Sequence, residues 1–187
     1  MRNKKMGAGE IIAIVAVIVA LVALGVGIAS YTKGGEIGEM EKVDSLVVYV
    51  NSGMDKPYNQ YAALVVAFTA KAVYKVPEVT VFYGPNGVEM VKKGTLAQLP
   101  IDDGLKKLVA GQFEGISPED LPDNLEQLAR FEKDKLGVNF ASCATFHVVN
   151  GFADTVDDTT NIEDFVTPVK IPDAVGAALS ADKILFF

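Results

Sequence analysis

Twenty-one consecutive residues near the N-terminus, Ile11 to Tyr31, carry no charge and consist almost wholly of Ile, Val, Leu, Ala and Gly. About 20 apolar residues suffice for a helix to cross a bilayer, whereas the apolar core of a secretory signal has roughly 7–15 residues. The sequence therefore predicts an uncleaved transmembrane helix over residues 11–31. The 187 residues then make one domain with an N-terminal appendage, since a domain has on the order of 100–200 residues.

Charges on the two sides of this span predict its orientation. Arg2, Lys4 and Lys5 precede it, and the Gly- and Glu-rich segment after it is mostly acidic. Basic residues remain on the cytoplasmic side of a membrane, so we expect residues 1–10 in the cytoplasm. Residues 32–42 then form a linker, and residues 43–187 form the extracytoplasmic domain of a single-pass membrane protein.

The small residues of the span recur at helical spacing. Intervals of three and four place six of them on one stripe: Ala13, Ala16, Ala20, Ala23, Gly27 and Ser30. Small side chains let helices approach closely in lipid, so the stripe predicts contact with another transmembrane helix, in a second copy or in a different subunit. Alanine is also common in apolar spans, and a stripe without a packing role is the alternative.

The N-terminus has a second interpretation. The residues KMGAGE at positions 5–10 loosely resemble a pilin-type leader that is cleaved after a glycine. The match consists of a glycine with an acidic residue, Glu10, soon after it. This interpretation would make the chain a filament subunit.

The part after the anchor is acidic, with 13 basic and 23 acidic residues from Gly34 onward and a net charge of −10. A chain of this charge without a basic stripe is not expected to bind nucleic acid. One cysteine excludes an internal disulfide, and one cysteine with one histidine gives too few soft ligands for a closed zinc site. We therefore expect no metal. We also expect no cofactor, since no glycine-rich phosphate-binding signature occurs. Four acidic residues lack the spacing of a calcium loop and are predicted to be solvated: Asp157, Asp158, Glu163 and Asp164.

Strand-like and helix-like segments alternate after residue 43. The predicted strands cover residues 45–50, 79–83, 138–141 and 183–187. The predicted helices cover residues 57–74, 118–136 with a break at Pro122 and a restart near Asp123, 143–151, and 172–181. This alternation predicts an α/β domain of three layers with a mostly parallel sheet. Residues 95–115 are expected to be irregular or partly helical, and residues 154–169 to be a surface loop.

Residues 137–151, GVNFASCATFHVVNG, contain the only cysteine and the only histidine of the chain. A short strand precedes Ser142, which can cap a helix that carries Cys143 near its first position. A thiol there lies at the positive end of the helix dipole, which favours the thiolate. His147 is predicted on the same helix face as Cys143, as its acid–base partner. A buried apolar cysteine and a packed histidine are the alternatives.

The turn after the first predicted strand is a second candidate site. Asn51, Ser52 and Gly53 lie between that strand and a helix that begins at Pro57. Backbone N–H groups at a helix start bind anions, so these three residues, together with Ser142, are predicted to bind substrate. A plain strand-to-helix connection is the alternative.

Three stretches give the chain a resemblance to the DsrE/DsrF-like sulfur-relay family over roughly Val43 to Phe187. They are SLVVYVNSG at the first strand and turn, VTVFYGPNGV at the second strand and glycine loop, and GVNFASCATFHVVNG. The ending, a small-residue helix followed by DKILFF, is similar as well. The resemblance implies that Cys143 carries sulfur as a persulfide and passes it between proteins. It also implies trimers or hexamers with the cysteines near the subunit contacts.

The resemblance and the anchor together give two functional hypotheses. The first is a membrane-anchored sulfur relay on Cys143, an activity of the sulfurtransferase type. The second is a non-catalytic accessory subunit of a larger membrane complex, because many family members lack the cysteine and a fold alone does not establish transfer. The anchor and the outward orientation depart from the family, most of whose members are soluble and cytoplasmic.

Overall fold

The computed structural model describes residues 42–112 and 115–187 of the chain. The predicted anchor with its small-residue stripe, residues 1–10 and nearly all of the linker lie outside the described residues. Among the residues that are described, no helix is both long and apolar enough to span a bilayer. The chain divides into two compact units, a larger one of Glu41–Ile101 and Pro122–Phe187 and a smaller one that includes Asp102–Leu121.

The described elements alternate between strands and helices along the chain. The strands are β1 (Ser45–Val50), β2 (Glu78–Tyr83), β3 (Asn139–Cys143), β4 (Thr167–Val169) and β5 (Lys183–Phe186). The helices are α1 (Pro57–Ala72), α2 (Asp103–Ala110, in the smaller unit), α3 (Leu125–Phe131), α4 (Ala144–Val149) and α5 (Ile171–Ser180). Short 3-10 helices cover Val88–Val91, Leu96–Gln98 and Pro118–Asp120, and a π-helical turn covers Glu132–Leu136.

The five strands form one sheet in the order β4-β3-β2-β1-β5. β1 lies between β2 and β5, with Val48 opposite Val81 of β2 on one side and Leu185 of β5 on the other. β3 pairs with β2 and with β4, and every neighbouring pair is parallel. The predicted α/β fold with a mostly parallel sheet is therefore confirmed.

The segment predicted as a surface loop, residues 154–169, is mostly exposed up to residue 161 and is packed in its second half. Its last three residues form the edge strand β4, and Ile162, Phe165 and Val166 are buried. A strand of three residues is too short to show an alternation of apolar and polar residues. It also contains Pro168, which is tolerated in a strand at the edge of a sheet. The sequence therefore gives no signal for this strand.

Arg130 of α3 fixes this segment. Its guanidinium lies 2.9 Å from Glu126, 2.9 Å from Glu163 and 2.7 Å from Asp164, and it also lies over the ring of Phe165. The expectation of a solvated acidic loop is wrong for Glu163, which is buried. A buried carboxylate needs a charged partner in place, and Arg130 supplies it. Within residues 42–112 and 115–187, no group of three or more His, Cys, Asp or Glu side chains is arranged to hold a metal ion.

One face of the sheet is closed by α1 and α3, and we call it the helix-covered face. Alternate strand residues point to it, and four of them are fully buried: Val48, Val50, Val79 and Val81. α1 and α3 pack on each other through Phe68 and Phe131, whose ring centroids lie 6.4 Å apart. A buried valine contributes roughly 1.5–3 kcal/mol relative to an exposed one, so this face is a main source of stability.

The opposite face, which we call the open face, is covered in part by α5. Val47, Phe82 and Cys143 belong to a small core there, and Ala174 of α5 packs against it. No residue of α5 is buried. Its outer side presents three exposed apolar residues at spacings of four: Ile171, Val175 and Leu179. Val88, Phe146 and Phe152 also pack against this core, so the layer on the open face is made of short segments.

The boundaries of α3 follow the signals in the sequence. Asn124 caps the helix by accepting a hydrogen bond from the Gln127 N–H at 3.0 Å, next to the restart predicted near Asp123. The helical path continues through the π turn to Leu136 and ends at Gly137, whose φ is 72°. A left-handed glycine is the usual residue after a helix, which is why this end could be predicted.

Candidate functional site

The carboxyl ends of β1, β2 and β3 lie side by side, and we call this border of the sheet the carboxyl edge. β1 is followed by Asn51, β2 is followed by Gly84, and β3 ends at Cys143. The register places Tyr83 opposite Ser142, so the ends of β2 and β3 are level. Open α/β sheets bind their ligands outside the carboxyl ends of the strands. The candidate site therefore lies at this edge.

Cys143 is the last residue of β3 and the residue from which α4 begins. Its backbone is extended, with φ −74° and ψ 105°. Its side chain is 7% exposed and belongs to the open-face core with Val47, Phe82 and Val88. The structure thus puts the sulfur at a strand-to-helix junction, in apolar surroundings that leave little of it in contact with water.

Ser142 is not the cap of this helix, contrary to the prediction. It lies within β3, opposite Tyr83 and Pro168, and is fully buried. Pairing with β2 and β4 carries the strand two residues beyond the apolar run from which its end was predicted, so the helix starts later. α4 begins without a side-chain cap, and its six residues align few peptide dipoles on Cys143.

His147 contacts Ser142. Its Nε2 lies 2.9 Å from the Ser142 Oγ, and the residue is 1% exposed. In the described part of the chain, no hydrogen bond joins His147 to Cys143. Burial lowers the pKa of His147, so the ring is neutral near neutral pH. The structure thus pairs His147 with Ser142 and not with Cys143. Adjacent strand residues point to opposite faces, and His147 lies on the face to which Ser142 points, the helix-covered face.

Two buried titratable side chains lie on the helix-covered face. Tyr83 and Glu132 are both buried, and Glu132 opens the π turn after α3. Burial raises the pKa of Tyr83, and the charge of Glu132 raises it further. Neither carboxyl oxygen of Glu132 has a hydrogen-bond partner among the described residues, and burial raises its pKa well above the usual value. Burial therefore disfavours the charged form of Glu132.

Tyr49, which the sequence reasoning does not single out, reaches the carboxyl edge from β1. Its ring stacks on Phe82 with centroids 5.5 Å apart and tilts against Phe186 at 5.3 Å. Its hydroxyl end lies over Gly84, where a Cβ atom would be 2.6 Å from the Tyr49 Cζ. Burial raises the pKa of Tyr49, and the negative charge of Cys143 raises it further. Two features of the sequence could have identified Tyr49. The alternation in SLVVYV puts it on the open face, and a glycine follows directly after β2.

A polar depression of about 320 Å³ lies at the same edge. It is lined by Asn51, Ser52, Gly53, Asp55, Lys56, Pro85, Asn86, Glu89 and Asn150. The three residues predicted from the first turn are thus brought together with residues that follow β2 and α4, which the sequence reasoning missed. Neither Ser142 nor Cys143 lines the depression. The predicted substrate-binding set is therefore divided between a surface depression and the core.

Hydrogen bonds from neighbouring segments hold the first part of the turn. The Asn51 Oδ1 accepts from the Asn86 N–H at 3.0 Å, and the Asn51 N–H donates to the Phe187 carbonyl at 2.7 Å. Beneath the turn, the Gln60 Nε2 donates to the Ser52 carbonyl at 2.6 Å. Three separate parts of the chain therefore hold this part of the turn in place.

Glu89 holds the second part of the turn. Its carboxylate accepts a hydrogen bond from the Met54 N–H. It also lies so close to Gly53 that a Cβ atom there would be 2.7 Å from the Glu89 Cδ, which explains the glycine. The depression thus combines one cation, Lys56, with the carboxylates of Glu89 and Asp55. This mixture disfavours the anion site that the turn predicts, because a bound anion would lie beside two negative charges.

No protein-family model matches this chain, and no curated protein matches it significantly. Among solved structures, the crystal structure of the ychN protein from E. coli, a DsrE/DsrF-like fold, aligns with it at a TM-score of 0.52 and 16% sequence identity. The alignment covers 79% of this chain and 100% of that chain. Likeness at this identity shows the fold alone. The chain accordingly has a DsrE-like α/β fold, as the three resembling stretches predict.

Proposed function

We propose that this chain is a membrane-anchored sulfur carrier that holds sulfane sulfur as a persulfide on Cys143. The observation that carries the proposal is the place of its only cysteine, at the end of an inner strand and at the carboxyl edge of a DsrE-like sheet. This edge is where parallel α/β sheets meet their ligands. The thiol is a nucleophile and sulfur carrier only as the thiolate.

The proposed step is a displacement at sulfur. The Cys143 thiolate attacks the outer sulfur of a donor persulfide, R–S–SH, and a new S–S bond forms on Cys143. The S–S bond of the donor breaks, and the donor leaves as the thiolate R–S⁻. The proton stays on the transferred sulfur, and no net oxidation or reduction occurs. An acceptor thiolate repeats the step in the opposite sense and regenerates Cys143.

The uncharged run of residues 11–31 supports the membrane location in this proposal. With residues 1–10 in the cytoplasm, residues 43–187 act on the outer side of the membrane, and donor and acceptor must be accessible there. The stripe from Ala13 to Ser30 supports packing against another transmembrane helix. A carrier held in this way meets partners in the same membrane or at its outer surface.

The outer side of α5 favours a second candidate function. Ile171, Val175 and Leu179, with Phe186 of β5, are 53%, 51%, 83% and 73% exposed. Several exposed apolar side chains on one side of a helix are typical of a protein contact surface. This surface supports a homo-oligomer, or an accessory subunit of a larger membrane complex that uses its DsrE-like fold only for contacts.

Sulfur loading separates the two functions. The full chain in detergent is incubated with a sulfane-sulfur donor, and its intact mass is measured. A carrier gains about 32 Da, one sulfur atom for one thiolate, and Cys143→Ser abolishes the gain. A folded chain that gains no mass but co-purifies with other membrane subunits contradicts the carrier function and supports the accessory one.

A further inference from the structure

α5 crosses the open face of the sheet from one edge to the other. It joins β4 to β5, the two outermost strands in the order β4-β3-β2-β1-β5. Neighbouring strands lie about 4.8 Å apart, so the connection passes over β3, β2 and β1 across about 19 Å. The buried core on this face takes Cys143, Phe82 and Val47 from those three strands, and Ala174 of α5 packs against it. α5 therefore lies over the core that contains Cys143.

The start of α5 follows closely after the strand residue that pairs with Cys143. Val169 of β4 is opposite Cys143, and α5 begins two residues later at Ile171. Cys143 is 7% exposed. Attack on an incoming sulfur requires that the donor reach the Cys143 sulfur. One of the segments over this core must therefore move before a donor can react.

Among the described segments over this core, α5 is held least firmly. Val88 is 1% exposed, and its N–H donates to the Gly84 carbonyl at 3.0 Å. α4 is held to β3 by the buried contact of His147 with Ser142. No residue of α5, in contrast, is buried. Local opening costs the least free energy where few apolar contacts are buried, so α5 is the segment expected to open.

The helix can open without any loss of strand pairing. The connection from Lys170 to Asp182 has 13 residues, which reach on the order of 40 Å when extended. This reach is about twice the distance of about 19 Å between β4 and β5. The helix is also weak in itself, because Gly176 lies in its interior and its start has no side-chain cap among the described residues.

We propose that α5 is a lid whose local unfolding exposes Cys143, so that sulfur enters and leaves only while α5 is open. The lid rests on the proposed sulfur-carrier function and names how access to that same site is regulated. In the closed form, α5 keeps the thiol from unrelated reactants, as closing segments do at other reactive sites.

The rate at which iodoacetamide alkylates Cys143, in the full chain in detergent at one fixed pH, measures how often α5 is open. Gly176→Ala stabilises the helix, and its methyl group would meet no atom of a neighbouring segment within 4 Å. The surroundings of the thiol therefore stay the same, and alkylation should become roughly two- to fivefold slower. Ala177→Gly, at the next and exposed position, should make alkylation faster by a similar factor.

Ala62→Gly in α1 is the matched control, because it weakens a helix on the opposite face by the same kind of change. It separates opening of α5 from unfolding of the whole domain. The lid predicts that Ala62→Gly leaves the alkylation rate unchanged. It also predicts that amide hydrogen exchange of α5, measured by mass spectrometry, changes in the same direction as alkylation in the two α5 variants.

Two outcomes overturn the proposal. Equal acceleration by Ala62→Gly and Ala177→Gly would show that Cys143 is reached only through unfolding of the domain. Unchanged alkylation in both α5 variants would show that the reagent reaches the sulfur while α5 is closed. Failure of the carrier function is a different result: a wild-type chain that takes up no sulfur, yet is alkylated at a rate set by α5, refutes sulfur transfer and leaves the lid established.

Discussion

The two faces of the sheet are made by the same five strands, yet they are closed in different ways. The helix-covered face buries four valines completely beneath α1 and α3. The open face is covered by short segments, among them α5, which has no buried residue. Cys143 and Tyr49 point to the open face, whereas Ser142 and Glu132 belong to the covered one. The comparison indicates that the helix-covered face supplies buried core, whereas the open face holds Cys143, the residue of the proposed chemistry, and the exposed outer side of α5.

The largest expected effect compares one substitution on the two faces. Leu64 of α1 is 1% exposed and Leu179 of α5 is 83% exposed. Leu64→Ala should lower the free energy of unfolding by about 2–5 kcal/mol, because it leaves a cavity. Leu179→Ala should change it by no more than about 0.5 kcal/mol. Denaturant unfolding of both variants measures the difference, and equal losses would refute the division between the faces.

The next effect concerns the buried acid of the helix-covered face. The raised pKa of Glu132 means that the folded protein keeps a proton that the unfolded chain releases. The contribution of Glu132 to the free energy of unfolding is fully present below the pKa of the unfolded chain, about 4.3. It falls as the pH rises towards the pKa of the folded protein. Glu132→Gln removes this dependence, so its melting temperature relative to the wild type should increase from pH 4 to pH 8. A difference that stays constant over this range would show that Glu132 titrates as an exposed carboxyl does.

The smallest effect on stability is expected from substitutions on the outer side of α5. The property measured there is the size of the assembled particle. Val175→Lys with Leu179→Lys adds charge to the apolar patch, with a change of about 0.5 kcal/mol or less in unfolding because both side chains are exposed. If copies of the chain or other subunits meet there, light scattering should show a smaller particle than for the wild type. Lys107→Glu with Lys133→Glu, which changes charge on α2 and the π turn, serves as the control. An unchanged particle mass in the α5 variant would remove this patch from any assembly.

The sequence predicts the fold well where its patterns are local. SLVVYV and VTVFY are apolar runs long enough to be recognised as inner strands, and Gly137 marks a helix end. Such signals depend on residues within one or two turns of each other, which a single sequence displays directly. The parallel sheet then follows from the alternation of strands with helices.

The site is predicted less completely because its geometry depends on register. Whether Ser142 or Cys143 begins the helix is decided by pairing with Tyr83 of another strand, which spacing within one motif does not reveal. The approach of the Tyr49 hydroxyl to Gly84 likewise depends on the pairing of β1 with β2, which places a glycine where the ring ends. Glu163 likewise looks like one acid among several until Arg130 is placed beside it.

The last strand of the sheet also has a consequence for the time at which the fold can form. β1 lies between β2 and β5, and the Asp182 carboxylate just before β5 accepts hydrogen bonds from the N–H groups of Asp44 and Ser45 at 2.9 Å. These partners are more than a hundred residues apart, so a ribosome must have produced almost all of the domain before β1 gains its second neighbour. A nascent or prematurely terminated chain that lacks Lys183–Phe186 exposes one side of β1, which is open to pairing with other unfinished chains. Pairing of β5 with β1 is therefore also the step that removes this edge from contact with other chains.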